Sequence, residues 1–147
     1  MIHYRNDVKK SGVDGRALVK TAKELLVAAG EPKGSLSLTL VNDRAIRVLN
    51  AQHRGKDRPT DVLSFPGEPA EFEHERLLGD VVISLDTARR QAEEYDAPLQ
   101  RELERLLIHG ILHVLGHDHE EPEERALMIA QERRLADAIQ MPWPYPE

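Results

Sequence analysis

The segment from Pro98 to His119 constrains this chain more than any other. Leu106, Leu107, Ile108, Ile111, Leu112, Val114 and Leu115 make it too apolar for a surface element, so it predicts a buried helix running from Pro98 to about Leu115. His109 and His113 sit within it at i and i+4, on one face, where two rings can hold one ion. Gly116 supplies the freedom to end that helix and turn the chain back, bringing His119 toward the same ion. Burying such rings without a partner costs free energy. Three neutral imidazoles plus an open position is the arrangement of a catalytic zinc, which acidifies a bound water to a pKa of about 7. The ordinary alternative is a histidine-rich helix end whose rings cap carbonyls and meet the negative end of the dipole.

Neighbouring residues leave choices. His117, at i+4 from His113, competes with His119 as third ligand if the helix runs past Gly116; a stop at Gly116 favours His119. Asp118 reads as an acceptor for an imidazole or a group acting on the metal-bound water, and equally as a surface turn carboxylate. His3, His53 and His74 read as incidental, although His53 adjoins Arg54.

The spacing His-x3-His-x2-Gly-x2-His is shared with metzincin peptidases. Those enzymes carry a glutamate directly after the first histidine as general base, and here that position is Gly110, which cannot move a proton. The reading therefore shifts from proteolysis toward another metal-assisted hydrolysis. A second component lies in the loop 53–61, where Arg54, Lys56 and Arg58 are placed to contact phosphate. A guanidinium clamps phosphate in two-point fashion and stabilises charge developing on it. A solvated charged loop is the plain alternative.

The rest of the chain predicts one α/β (α+β) domain over residues 1–140, followed by a loosely attached Pro-rich tail at 141–147. Asp14 caps a first helix that stops at Gly30. Residues 35–41 alternate as a half-buried strand, and Asn42 caps a second helix. Val62–Phe65 is a short strand, 68–76 an exposed acidic loop or hairpin, and Leu77–Leu85 a central strand. Ser84 or Asp86 caps a third helix reaching Tyr95, the histidine helix is the fourth, and Pro122 opens a fifth. The expected product is a small mixed sheet of about four strands packed with about five helices, one of them a zincin-like metal helix.

With no Cys there is neither disulfide nor thiolate ligand. No apolar run approaches membrane-helix length and the N-terminus lacks a signal-like segment, so a cytoplasmic protein with no membrane partner is expected. The net charge of −6 argues against a general nucleic-acid binder, but it is unevenly spread: residues 1–60 carry +6 and residues 61–147 carry −12. A basic half can face a phosphate backbone although the whole is acidic.

Three stretches together resemble a known family. The run His109-Gly-Ile-Leu-His113-Val-Leu-Gly-His-Asp-His119 is similar to the signature of the YbeY family of bacterial metal-dependent endoribonucleases, the rRNA maturation factors. The stretches Asn50 to Pro66 and Leu78 to Ser84 resemble its other motifs, and the likeness spans nearly the whole chain. It implies one zinc per chain on His109, His113 and His119, with Arg54 as the family's functional arginine in a cleft near the metal. It implies single-strand endonuclease activity at the 3′ end of 16S rRNA and a part in small-subunit quality control. Ribosomal RNA and the small subunit are then the partners, with ribosomal proteins or an assembly GTPase as further candidates. Two residues depart from the pattern: His53 stands where an aromatic residue is frequent, and His117 where Tyr is common. The competing readings are a zinc metallopeptidase of metzincin-like geometry and a non-catalytic, zinc-stabilised ribosome-assembly factor.

Overall fold

A computed structural model describes residues 1–67 and 76–142. The chain begins with a strand that the sequence pattern does not announce, β1 (Ile2–Asn6), and proceeds through α1 (Gly15–Ala28), β2 (Gly34–Val41), α2 (Asp43–Arg54), β3 (Val62–Pro66), β4 (Arg76–Ser84), α3 (Leu85–Glu94), α4 (Leu99–Val114) and α5 (Pro122–Ala138). The described residues thus form a four-stranded sheet, ordered β1-β2-β4-β3, and five helices, the α/β class expected. β1, β2 and β4 run parallel and β3 is antiparallel to β4, so the sheet is mixed.

Side-chain alternation assigns the two faces. On β4, Val81 and Ile83 join the main core with α1, α3, α4 and α5, while Val82 turns the other way to meet Val41, Ile46 and Leu63. Helix α2 therefore covers one face and the remaining helices the other, a three-layer arrangement. Layering of this kind explains why β2 is not the half-buried strand its alternation suggests. It lies between two parallel neighbours, and even Ser35 is only 1% exposed.

Local caps follow the sequence closely. The side chains of Asp14, Asn42 and Ser84 accept from the third residue beyond each, opening α1, α2 and α3. Asp86 instead accepts from the Asp43 backbone N–H at 2.9 Å, tying the start of α2 to that of α3. Helix α2 runs through Arg54, so the loop expected at 53–61 begins only at Gly55. Met141, the first residue of the Pro-rich segment, is buried in the main core, whereas residues 143–147 lie outside the described residues. Most of the acidic segment at 68–76 and His74 also lie outside them. No described helix is long and apolar enough to cross a membrane.

Candidate metal centre and cleft

Helix α4 packs its apolar side into the core, with Leu103, Leu107, Ile108 and Ile111 fully buried. Its C-terminus closes as the glycine predicts. The His117 N–H donates to the Leu112 carbonyl and the Gly116 N–H to the His113 carbonyl, each at 3.0 Å. With Gly116 at φ 98°, this is a Schellman closure, which reverses the chain at a residue that tolerates the left-handed region.

The reversal gathers three rings. His113 Nε2 lies 3.0 Å from His109 Nε2. The ring centroids are 4.6 Å apart for His109 and His113, 5.2 Å for His113 and His119, and 5.8 Å for His109 and His119. Donors on His113, Asp118 and His119 all lie within 4.8 Å of one another. Tetrahedral zinc with Zn–N bonds of about 2.0–2.1 Å places its ligand nitrogens about 3.3 Å apart, within a few tenths of an ångström of the closest pair here. Burial, and then the neighbouring His109 and His119, pushes the His113 imidazole below its ordinary value. The neutral ring is the one that donates a lone pair to a metal. The chemistry of these donors, and the lowered value of His113, therefore fit a borderline divalent ion such as zinc.

Asp118 holds the turn. Its Oδ1 accepts the His119 backbone N–H at 2.7 Å and lies 3.4 Å from His119 Nδ1. That backbone bond, with smaller help from the His119 and His113 rings, keeps the carboxyl below the usual carboxylate range. Of the two rings that competed for the third place, His119 is the one in contact with the other two. His117 lines the same cleft, its backbone committed to closing the helix.

The rings open onto a cleft of about 690 Å³. Arg54, in the last turn of α2, also lines it, together with β3. Lys56 and Arg58 are exposed but do not line it. The loop carrying them is held from beneath by buried Asn50, whose Nδ2 donates to the Arg58 carbonyl at 2.8 Å. His53, incidental in the sequence reading, also faces the cleft and meets the Phe65 ring edge-on at 4.8 Å.

Gly110 has a steric cause. α4 crosses so close to the sheet that a Cβ there would lie 2.7 Å from Val81 Cγ1 and 3.3 Å from Ser64 Oγ. Ser64 uses that space, donating its hydroxyl to the Gly110 carbonyl at 2.9 Å. The position at which a metzincin places its base is thus filled by the sheet.

Three acidic residues at the site went unnoticed in the sequence: Asp61 and Glu120, which line the cleft, and Glu132. Glu132 of α5 brings its Oε2 within 3.3 Å of His109 Nδ1. Its signal was an acidic residue among apolar ones: Met128 and Leu135, four before and three after it, are both buried.

Fold and site together define a small α/β protein whose helix end and sheet edge enclose a cleft rich in histidine that one arginine also lines. The sequence model of the family described as Endoribonuclease YbeY matches residues 3–140, and the chain belongs to that family. An Endoribonuclease YbeY of Pelotomaculum thermopropionicum is 48% identical over 129 residues, 84% of this chain and 85% of that protein. One of Myxococcus xanthus is 50% identical over 135 residues, 86% of this chain but 46% of that protein, so the chain spans less than half of that longer relative. The solution structure of TM1509 from Thermotoga maritima superposes with a TM-score of 0.59 at 26% identity, covering 95% of this chain and 92% of that one.

Proposed function

We propose that this chain is a zinc-dependent, single-strand-specific endoribonuclease that matures the 3′ end of 16S rRNA and serves small-subunit quality control in the cytoplasm. The observation that carries the reading is the convergence of His109, His113 and His119 on a cleft that Arg54 also lines, in a chain of the YbeY family. Ribosomal RNA within the small subunit is the substrate, and ribosomal proteins or an assembly GTPase are the candidate protein partners.

His109, His113 and His119 would hold one zinc, which supplies Lewis acidity to a phosphodiester. The chain's own groups do the rest. Arg54 binds the scissile phosphate and neutralises charge gathering on it as the pentavalent arrangement forms. Asp118, ionised, accepts a hydrogen bond from the attacking hydroxyl, whether water or the RNA 2′-OH. Lys56 and Arg58, outside the cleft, attract the flanking backbone and add salt dependence to binding.

Metal analysis of tag-free protein, paired with cleavage of single-stranded RNA before and after chelation, tests the reading. One zinc per chain, loss of cleavage on chelation and its return with zinc are expected. Arg54→Ala should abolish cleavage while zinc stays at one per chain; zinc leaving with the arginine would make Arg54 structural. A 2′,3′-cyclic phosphate end would assign the attack to the 2′-OH.

A further inference from the structure

Helix α5 lines no part of the cleft, yet it delivers one carboxylate to the back of a cleft histidine. Glu132 lies on the core-facing side of α5, near buried Met128, Leu135 and Ala136, and its side chain is only 13% exposed. A carboxylate placed there loses hydration and needs a compensating partner. His109 Nδ1 provides one at 3.3 Å, across 23 residues of sequence.

A carboxylate accepts and does not donate. The ring nitrogen facing it therefore carries the hydrogen, which leaves the lone pair on Nε2. That atom is the one turned toward His113 Nε2, 3.0 Å away. We propose that Glu132 is a positioning residue: it locks His109 in the Nδ1–H tautomer and presents Nε2 as the ligand atom for the divalent ion. The inference rests on the metal reading above. It explains why an acidic side chain occupies the inner face of α5, and it links the packing of that helix to the metal centre. Outer-shell partners of this kind orient the ring and make it a better donor, at about 10–100-fold in metal affinity.

The test uses the full chain with Glu132→Ala and the near-isosteric Glu132→Gln, which keeps an acceptor oxygen but no charge. Zinc affinity is read by competition with a chromogenic chelator. The His109 tautomer is read from long-range nitrogen–proton NMR spectra of the metal-free chain, with the signal assigned by His109→Gln. Zinc affinity should fall about 10–100-fold in Glu132→Ala and by a smaller factor in Glu132→Gln, and the alanine variant should lose its Nδ1–H preference. Thermal unfolding in chelator checks that both variants are folded. Wild-type affinity in both variants, together with an unchanged tautomer in Glu132→Ala, would overturn the proposal. Equal zinc binding by wild type and His113→Ala would instead refute the metal reading, and the tautomer spectrum of the metal-free chain would still decide the role of Glu132.

Discussion

Replacing Gly110 by Ala sets two opposing terms against each other. Alanine in a helix interior is about 1 kcal/mol better than glycine. Against that, the new Cβ would stand 2.7 Å from Val81 Cγ1 and 3.1 Å from Val81 Cγ2. Val81 is fully buried between strand and helix, so it has little room to yield. Overpacking of this kind costs about 1–3 kcal/mol. The expected net loss is about 1 kcal/mol, which for a domain of this size lowers Tm by about 2–4 °C. Val81→Ala alone should cost about 2–3 kcal/mol, from two lost methyl groups and a cavity. In the double variant the methyl added at position 110 no longer meets the valine and fills part of the space it leaves. The pair should therefore be about 1–2 kcal/mol more stable than the two single effects summed. Urea unfolding of all four proteins in chelator measures this without a contribution from bound metal. Additivity within about 0.5 kcal/mol, or a stabilised Gly110→Ala, would refute the claim that close helix–sheet contact dictates the glycine. By the same geometry Gly110→Glu, which supplies the base position of a metzincin, should destabilise the fold and release no peptidase activity.

Other expectations follow from buried charge. Glu102, fully buried, holds Arg105 by two 2.7 Å bonds, so Glu102→Ala should cost about 3–5 kcal/mol in urea unfolding. Replacing both partners by Leu should recover most of that loss, and an equally unstable double variant would contradict the ion-pair account. The His113 imidazole titrates below its ordinary 6.5 in the fold, chiefly through burial, so in acid the unfolded chain takes up that proton first. Stability of the chelated protein should therefore fall as pH drops below about 6.5 toward the lower folded value. His113→Gln should flatten that slope, and an unchanged slope by thermal unfolding would remove His113 as its source.

The legible parts of this chain are those whose cause is local. Gly116 after a run of leucines, Asn42 before an amphipathic stretch and Pro122 opening α5 each act within a few residues, and each ends or begins a helix where expected. β1 alternates over only five residues at the sheet edge, too short a run to stand out by itself, and its pairing with β2 defines it. Glu102 lies in the first turn of α4, where acids are ordinary, and only tertiary packing buries it; Glu132 gains its partner only because α5 packs back onto α4. The clustering of the three imidazoles was readable because two share a helix face and the third follows a glycine stop. The Glu132 carboxylate behind His109 was not, because its contact depends on tertiary packing.

Charge around the cleft argues that metal and substrate bind interdependently. Among the described lining residues Arg54 is the one permanent cation, set against Asp61, Asp118 and Glu120. A phosphodiester approaching the metal-free cleft meets more negative charge than positive. On the proposed reading, a divalent ion held by the three imidazoles would cancel that excess of two negative charges. Two added charges at about 5 Å are worth roughly 2–6 kcal/mol at dielectric constants between those of water and a protein surface, or about tenfold or more in affinity. Binding of a non-cleavable single-stranded RNA, followed by fluorescence anisotropy at fixed salt, should therefore weaken at least about tenfold on chelation. Glu120→Gln should restore part of the metal-free affinity, because it removes one repelling charge without touching the imidazoles. If the metal-free chain bound RNA as tightly as the zinc form, the basic N-terminal half and the Lys56–Arg58 loop would be holding the strand on their own. The cleft would then be a site of chemistry only, with no share in recruiting substrate.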